Sequence, residues 1–427
     1  MSKELYVLMD NRRMGRVRQG DNGKLSFVYD EQWRNSETSY PLSLSMPLAL
    51  SEHPHDKIDG FLWGLLPDNE GTLNRLGRDH HVSPRSAFAL ISAVGEDCAG
   101  GEQFIRPERL DALNAAAPAD IQWLTEEEIA ERLRILRRNY AAGRLPSDEG
   151  QFSLAGAQPK TAFLFEGGKW GVPSGRIPTT RILKPPTGEF EGHAENEHYC
   201  LQLARALRLT VPDSQILTFE GQITIVVDRY DRIQIDGIWH RVHQEDMCQG
   251  LGFPPTKKYQ NEGGPSVADI VGLLRDYSRT PAADVQTFVE ALAFNWLIAG
   301  TDGHSKNYSV LIGAGGNVRL APLYDLASIL PYADKGLHKA KLAMKLGGEY
   351  LIREIRLYHW KKMAKELRLD TDQLVQRVDS FAEQLPELAN KIHQQLEKEG
   401  LKHHILTRLT ETITERSKLC RKILGTV

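Results

Sequence analysis

The spacing of apolar residues predicts a mixed first region. Between residues 4 and 30, apolar and polar positions alternate on either side of the turn sequence DNG at 21–23, which predicts a β-hairpin. The segment PLSLSMPL, at 41–48, alternates in the same way and predicts a further strand. The segments FLWGLLPDNE and SAFALISAVG are rich enough in apolar residues to predict short buried helices. We therefore expect a small mixed α/β domain over residues 1–108.

A second region, residues 109–236, shows a capped helix followed by strands. Thr125 and Glu128 have the spacing of a capping box, which predicts a helix running to about Tyr140. After the loop sequence SLAGAQPK, the runs TAFLFE, KWGV and TTRILK predict a hairpin and a third strand that ends at Lys184. A helix, ENEHYCLQLARALRL, and a hairpin, QILTFEGQITIVVDRYDR, complete the region.

The last region, residues 237–427, has a mainly helical pattern. The run QTFVEALAFNWLIA places Phe288 and Trp296 on one side at helical spacing. This helix is predicted to run into the turn TDG, after which SVLI predicts a short strand. The segments 371–396 and 401–425 repeat apolar residues every three to four positions. Together the patterns predict an α+β protein whose last region is largely helical.

Composition limits the class of protein. At 427 residues the chain is too long for one ordinary core, and its 41% hydrophobic and 26% charged residues are typical of a folded, soluble protein. A formal net charge of −3 gives no general attraction to nucleic acid or to anionic membrane. No apolar run reaches the length of a membrane span, and the first residues lack the layout of a signal peptide. The cysteines show no CxxC pairing, which argues against zinc or disulfides and predicts a cytoplasmic location: Cys98, Cys200, Cys248 and Cys420.

Three polar residues carry candidate chemistry. Asp302 is followed five positions later by Asn307, and Asp325 lies in the apolar string PLYDLAS. This is the order of a phosphoryl-transfer site, in which the first carboxylate accepts a hydroxyl proton while the amide and the second carboxylate hold magnesium. From the residues alone, both aspartates could instead cap helices. The position of Asp302 between a buried helix and a strand favours the functional interpretation.

Two further segments fit a nucleotide. A loop, a hairpin and a third strand ending in Lys184 have the layout of a lobe whose loop covers phosphates and whose lysine reaches them. The strand that exits at Asp228, Arg229 and Tyr230 is placed to hold an adenine through its backbone and one flat ring. The alternatives are that Lys184 is a surface charge and that Tyr230 is a core aromatic residue.

With these segments in order, the chain resembles the HipA family of bacterial serine/threonine kinase toxins. The strings SLAGAQPK, RILKPPTGE, ENEHYC, VDRYDR, HQEDMCQGLG, TDGHSKN, LYDL and KLAM occur in family order, and PLSLSMPL and LLPDNEG match its N-terminal part. The resemblance implies a two-lobed protein-kinase-like fold with an N-terminal extension. On this interpretation residues 109–236 form the N-lobe and residues 237–427 form a helical C-lobe.

The resemblance also implies roles for individual residues. Asp302 is then the catalytic base, Lys184 is a catalytic residue that contacts ATP, and Asn307 and Asp325 bind Mg²⁺. Ser153 falls on the serine that family members autophosphorylate, which expels the phosphate loop. The residues implied in ATP binding are Ala155, Gly156, Ala157, Gln158, Pro159, Lys160, Lys184, Asp228, Arg229, Tyr230, His304, Ser305, Lys306, Asn307, Tyr324 and Asp325.

Partners follow from the resemblance as well. It implies a HipB-like helix-turn-helix antitoxin and a protein substrate in translation, an aminoacyl-tRNA synthetase in the leading case. The chain departs from the family at two points. After KLAMKL it continues GGEYLIREIR in place of a lysine-rich loop, so we expect DNA contact only through the antitoxin. Ordinary kinases have lysine two residues after the catalytic aspartate, where this chain has His304 and then Lys306, which leaves their division of roles open.

Two other functions remain as alternatives. A small-molecule kinase of the aminoglycoside phosphotransferase type shares the Asp-x-x-x-x-Asn arrangement. A kinase fold kept as a non-catalytic scaffold in an operator-bound repressor complex would also keep these motifs.

Overall fold

A computed structural model describes residues 3–115, 121–139, 143–145, 148, 152–174, 176–188, 190–335 and 339–425. The strands in this part of the chain are β1 Glu4–Met9, β2 Arg12–Gln19, β3 Leu25–Tyr29, β4 Glu52–His53, β5 Glu102–Ile105, β6 Ile121–Leu124, β7 Thr161–Glu166, β8 Lys169–Pro173, β9 Arg181–Lys184, β10 Ser214–Phe219, β11 Gln222–Asp228, β12 Arg232–Ile235, β13 Ile238–Arg241, β14 His243–Asp246, β15 Ser309–Gly313, β16 Asn317–Leu320, β17 Lys341–Leu346 and β18 Glu349–Leu351.

The α-helices in the same part of the chain are α1 Glu31–Arg34, α2 His55–Leu65, α3 Glu70–Asp79, α4 Ala87–Val94, α5 Pro107–Ala115, α6 Glu126–Arg138, α7 His193–Ala206, α8 Met247–Leu251, α9 Val267–Tyr277, α10 Pro281–Ile298, α11 Leu357–Glu366, α12 Thr371–Lys398 and α13 His404–Leu424. Helices and strands are thus both present in quantity, which confirms the α+β class. No helix in the described ranges is long and apolar enough to cross a membrane.

The chain forms two compact units. The first contains Met1–Pro185, Leu217–Thr256 and Ser309–Val318, and the second contains Pro186–Ile216, Lys257–Tyr308 and Arg319–Val427.

The first unit begins with a five-stranded sheet in the order β4-β3-β2-β1-β5. The predicted hairpin is present as β2 and β3, with Gly23 in the left-handed region at φ 78°. Inward-facing side chains of these strands pack against α2 and α4 in a core that includes Phe27, Phe61, Ile91 and Phe104. This part is therefore the mixed α/β arrangement that its pattern predicted.

The strand predicted at 41–48 was wrong. In this segment Ser43 and Met46 form only an isolated bridge, and the Met46 amide donates to the Ser43 carbonyl at 2.8 Å in a turn. The hydroxyl of Tyr29 donates to the Met46 carbonyl at 2.6 Å and accepts from the Leu42 amide at 2.8 Å. Because a side chain satisfies these main-chain groups, the segment needs no neighbouring strand despite its alternation.

The second sheet of this unit has the order β10-β11-β9-β7-β8-β6, with β9 between two antiparallel neighbours. Helix α6 covers it, and Leu133 lies in one core with Phe163 and Leu183. The capping box predicted at Thr125 and Glu128 is confirmed. The helix ends at Arg138, and Tyr140 lies outside the described residues.

The helical prediction from residue 237 onward missed several strands. The hairpin β12–β13 and the sheet β14-β15-β16 belong mainly to the first unit, while β17–β18 lies in the second. The strand predicted at SVLI is confirmed as β15. The missed strands are three to six residues long, too short to show a clear period in sequence.

The second unit is built around α10. This helix begins with Pro281 at its first turn, and almost all its residues from Asp284 onward are buried, which explains its apolar composition on every side. Trp296 packs edge-on against Trp360 of α11 with ring centroids 5.3 Å apart. The long helices predicted at 371–396 and 401–425 are confirmed as α12 and α13. Together these helices hold the loop that follows α10.

Candidate functional site

The loop at 301–308 is fixed to the end of α10. The helix ends at Ala299, which adopts the left-handed region at φ 52°, and the Gly300 amide donates to the Asn295 carbonyl at 2.7 Å. The Asn295 side chain then donates to the hydroxyl of Tyr308 at 3.0 Å. A single helix residue therefore holds both ends of the loop.

Asp302 and Asn307 lie together on this loop. The Asn307 side-chain amide donates to the Asp302 carbonyl at 2.8 Å, and the His304 amide donates to the same carbonyl at 2.7 Å. Asn307 ends a short 3₁₀ turn, Ser305–Asn307, and is buried, whereas Asp302 is exposed. Because the NH₂ group of Asn307 is already bonded, its amide oxygen is the atom left to ligate a cation. The Asp302 carboxylate meanwhile faces solvent and can receive a proton.

A neighbouring segment that the sequence did not single out also contacts the loop. The Ser305 hydroxyl and amide both donate to the Lys258 carbonyl, at 2.8 and 3.3 Å. The Tyr259 hydroxyl donates to Asp302 Oδ1 at 2.7 Å, and its ring meets His304 edge-on at 5.0 Å. No spacing in the string TKKYQNEGG marks Tyr259 as functional, so only the structure reveals the contact.

Asp325 lies on a second loop that is bound to the first. The Tyr324 hydroxyl donates to the Lys306 carbonyl at 2.7 Å. Three residues after Asp325, Ser328 exchanges two hydrogen bonds with the side chain of Asn196 on α7, at 2.8 and 3.0 Å. Asp325 itself has φ 53°, a left-handed conformation that aspartate tolerates better than most residues. The loop carrying Asp325 is thus held beside the loop carrying Asn307.

Lys184 is the last residue of β9, as predicted. It is buried and pairs in register with Ile225 of β11, while its neighbour Leu183 enters the core under α6. The alternative of a surface charge does not hold in the first unit, because only 6% of Lys184 is exposed. Its burial places the ammonium inside the first unit, at the end of a central strand.

The predicted phosphate loop, residues 155–160, closes on itself. The Lys160 ammonium donates to the Ala155 carbonyl at 2.6 Å. Gly156 has φ 107°, a backbone conformation that residues with a side chain rarely adopt, so this position favours glycine. The Gly156 carbonyl accepts from the Asp68 amide at 3.3 Å. Within the loop, Pro159 is buried, Ala157 is exposed and Gln158 is intermediate.

Ser153 lies just before this loop and is buried. Its hydroxyl donates to the Leu65 carbonyl at 2.7 Å, and its amide donates to the Asp97 carbonyl at 2.9 Å. Only 2% of the residue is exposed, and it forms a bridge with Cys98. The hydroxyl predicted to be modified is therefore inside the first unit in this structure.

The predicted adenine hinge follows β11. Asp228 forms an ion pair with Arg181 of β9, and the Tyr230 hydroxyl donates to the side chain of Gln244. The Arg229 guanidinium donates to Asp231 at 2.7 Å and to the Cys98 carbonyl at 2.7 Å. The hinge assignment stays a prediction, and within it the side chain of Arg229 has structural partners.

Arg229 belongs to a buried charge network around Asp97. This carboxylate accepts from Arg232 at 2.9 Å, from Arg241 at 3.4 Å and from the Thr179 hydroxyl at 2.7 Å, with Arg229 at 3.5 Å. Burial alone would raise the pKa of Asp97, but the arginines, Arg232 first, hold it well below its usual range. The network was not anticipated, because Asp97 lies between 132 and 144 positions from its three arginines in the sequence.

Each unit thus gathers its own part of the predicted site. In the second unit the structure brings together Asp302, His304, Ser305, Lys306, Asn307, Tyr324 and Asp325 on two hydrogen-bonded loops. In the first unit, Lys184 pairs with Ile225 and Asp228 pairs with Arg181, so the two residues lie at opposite ends of the antiparallel pairing of β9 and β11, and the loop 155–160 leads directly into β7 of the same sheet.

Comparisons with known proteins place this geometry in context. The model of the HipA-like C-terminal domain matches residues 152–389, and that of the HipA N-terminal domain matches residues 5–104. Over 98% of both chains, the protein is 34% identical to Y4mE of Sinorhizobium fredii, which is named as a kinase. It is 30% identical to the serine/threonine-protein kinase toxin HipA of Shewanella oneidensis, over 84% of this chain and 82% of that one.

A solved structure agrees with the sequence matches. The Shewanella oneidensis HipA, determined in complex with HipB and operator DNA, superposes with a TM-score of 0.84 at 26% identity. The match covers 99% of this chain and 97% of the other. All the predicted site residues, from Ser153 to Asp325, lie inside the segment matched by the C-terminal family model.

Proposed function

Because the chain belongs to the HipA family and is a serine/threonine protein kinase, we propose that it transfers the γ-phosphate of ATP to a protein hydroxyl as the toxin of a toxin–antitoxin pair. The observation that carries the catalytic part is the loop at 301–308. There an exposed carboxylate is held on a main chain that Asn307 and Asn295 fix from both sides. A general base needs this combination of a defined position and open access.

The residues fit Mg²⁺ and ATP. A carboxylate from Asp325 and an amide oxygen from Asn307 are hard oxygen donors, the kind that Mg²⁺ prefers. Bound Mg²⁺ would supply charge neutralisation on the transferring phosphoryl group. Asp302 orients the acceptor hydroxyl and takes its proton as the new P–O bond forms and the bond to the leaving ADP breaks.

The first unit provides groups for the rest of the nucleotide. We assign Lys184 to the phosphates, since a buried ammonium at a strand end is the form such a ligand takes in kinases. The loop 155–160 offers main-chain amides in place of a glycine-rich loop, and Gly156 gives it the necessary turn. The segment Asp228–Tyr230 is assigned to the adenine.

Ser153 is proposed as a site of autophosphorylation that inactivates the kinase. Its hydroxyl now donates to the Leu65 carbonyl, a bond that a phosphate ester cannot make because it has lost that proton. A phosphoserine also adds about −1.5 to −2 charges at pH 7 in a buried position just before the loop that we assign to the ATP phosphates. Repulsion and desolvation would then drive the segment, and the phosphate loop after it, out of place.

Partners are proposed from the relatives. Because the HipA of Shewanella oneidensis was solved with HipB and operator DNA, we propose a HipB-like helix-turn-helix antitoxin for this chain, with DNA contact through that partner. The proposed substrate is a cytoplasmic protein of translation, an aminoacyl-tRNA synthetase, and the kinase would act in the cytoplasm.

The test is mass spectrometry of the host proteome after brief induction of the protein. One host serine or threonine should gain phosphate, together with Ser153 itself. Purified protein should transfer radiolabelled phosphate from ATP to that target only with Mg²⁺ present. Transfer to an aminoglycoside with none to protein would favour a small-molecule kinase, and ATP binding without any transfer would favour a non-catalytic scaffold.

The proposed switch predicts a measurable loss of nucleotide binding. Phosphorylated and unphosphorylated protein, separated by ion exchange, should differ in ATP affinity by at least about tenfold, since the phosphate loop is lost in one of them. The matched control is a Ser153→Ala variant taken through the same incubation with ATP, which should keep its affinity. Equal affinity before and after modification would contradict the switch.

A further inference from the structure

We infer that Tyr259 is a positioning residue for the catalytic carboxylate. The inference rests on the proposed kinase activity and concerns how Asp302 is presented to the acceptor hydroxyl. The Tyr259 hydroxyl donates to Asp302 Oδ1 at 2.7 Å, the length of a good charge-assisted hydrogen bond. One of the two carboxylate oxygens is therefore occupied, and the other is left to accept the proton of the substrate.

The main chain of Tyr259 is held in a tight turn. Its carbonyl accepts from the amides of Glu262 and Gly264, at 3.0 and 3.1 Å. A Cβ on Gly264 would lie 1.9 Å from the Lys257 carbonyl oxygen, so the turn requires glycine. The next residue, Gln260, accepts from the Lys345 amide at 2.8 Å through its side chain. The tyrosine is thus fixed in position before any substrate binds.

The same segment is attached to the loop that it orients. Ser305 donates twice to the Lys258 carbonyl, and the Tyr259 ring lies edge-on to His304. Any movement of the loop at 301–308 therefore carries the Tyr259 hydroxyl along with Asp302. This attachment favours a positioning role for Tyr259 over a blocking role, because a blocking residue would have to leave the carboxylate when a substrate binds.

The chemical consequence concerns the rotation of the carboxylate. Asp302 is exposed, and an exposed carboxylate without a fixed partner rotates freely about its terminal torsion. A donor on Oδ1 restricts that rotation and keeps Oδ2 in one direction. Main-chain contacts from Asn307 and His304 fix the Cα of Asp302 but cannot fix this torsion. Tyr259 supplies the constraint that the loop itself lacks.

Tyr259→Phe tests this, because it removes one oxygen atom and keeps the ring against His304. The matched control is Tyr277→Phe, which makes the same change on an exposed tyrosine at the end of α9. Phosphate incorporation from radiolabelled ATP is measured over a range of ATP concentrations, both into the protein itself and into the target found by proteomics. Asp302→Asn provides the baseline, and ADP·Mg²⁺ binding is measured by calorimetry.

We expect the Tyr259→Phe variant to lose about tenfold or more in kcat, the scale of one hydrogen bond to a charged group. KM for ATP, ADP·Mg²⁺ affinity and the thermal midpoint should stay at the wild-type values, as should every property of Tyr277→Phe. An unchanged kcat would overturn the inference, as would a raised kcat, which means that the hydroxyl blocks the site. Phosphate found on Tyr259 would overturn it too, because the tyrosine would then be an acceptor. Inactivity of the wild-type protein would count against the proposed function instead.

Discussion

Hydrogen bonds fix both Asp97 and Asp302, but they bind the carboxylate of Asp97 and mostly the main chain of Asp302. Asp97 is buried, and its carboxylate accepts from several arginines and a threonine, so no lone pair is left for chemistry. Asp302 is exposed and is fixed mostly through its main chain, with Tyr259 on one carboxylate oxygen. The difference separates a carboxylate that stabilises the fold from one that can accept a proton. Both residues are aspartates, so they are distinguished by the burial of each carboxylate and by the number of hydrogen-bond donors that contact it.

The largest expected effect is on catalysis at Asp302. In Asp302→Asn an amide cannot accept the proton of the hydroxyl, so phosphate transfer should fall by about 10²–10⁴-fold, the usual contribution of a general base. The thermal midpoint should not fall, because the Asp302 side chain is exposed. The matched control is Asp276→Asn, on the exposed face of α9. A variant that still transferred phosphate at the wild-type rate would remove Asp302 from the catalytic role.

The next effect is on stability at Asp97. Asp97→Asn leaves Arg229, Arg232 and Arg241 buried without their shared counter-charge, which should cost about 3–5 kcal/mol in the free energy of unfolding. Urea denaturation measures the change, and Asp236→Asn in the exposed β12–β13 turn is the control. A loss below about 1 kcal/mol is typical of a surface substitution, and it would show that the network around Asp97 does not stabilise the first unit.

The pH dependence of the same variant gives a second test. The pKa of Asp97 is held below its unfolded value, so its contribution is present above pH ~4 and is lost as pH falls through the folded pKa. Wild-type protein should therefore lose stability as the pH is lowered below about 4, and Asp97→Asn should lose less over that range. If the unfolding free energies of the two proteins fell equally below pH ~4, the lowered pKa would not belong to Asp97.

A smaller effect is expected at Glu245, a buried carboxylate with fewer donors than Asp97. Its Oε1 accepts from the Leu44 amide at 2.8 Å, and burial raises its pKa to about 7. The folded protein thus holds a proton that the unfolded chain releases, so stability should fall as pH rises from about 4.5 to 7 and level off above. Glu245→Gln keeps the Oε1 acceptor and should be more stable than wild type at pH 8, by on the order of 1–3 kcal/mol. Equal unfolding free energies at pH 8 would contradict the assignment.

Local patterns in the sequence predicted most of the regular structure. The capping box at Thr125, the strand ending at Lys184 and the helix before Asp302 all depend on residues close together in the chain. The segment at 41–48 failed because its main chain is satisfied by the Tyr29 hydroxyl, a contact that alternation cannot reveal. The short strands after residue 230 failed because three to six residues carry too little periodicity.

The residues of the candidate site also fall into two groups, those that a local motif predicted and those that only the structure revealed. Asp302, Asn307 and Asp325 were predicted because their order and spacing match a known chemistry. Tyr259 was not found, since it approaches Asp302 from 43 positions away and its neighbours carry no motif. The partners of Arg229 were likewise hidden, because Asp97 and Thr179 lie 132 and 50 positions from it. Spacing reveals a motif, whereas pairing between distant segments requires coordinates.

The network around Asp97 has a consequence for where the chain can be divided. The first family model ends at residue 104, which suggests a fragment starting near residue 109 as a free-standing kinase. Such a fragment would keep Arg229, Arg232 and Arg241 together with Asp231, but it would lose Asp97, the carboxylate that all three arginines share. It would also lose the carbonyls of Asp97 and Leu65, which accept hydrogen bonds from the amide and the hydroxyl of Ser153. The N-terminal segment therefore supports the rest of the first unit from within, and we expect enzyme truncated at this point to be recovered only as an aggregate.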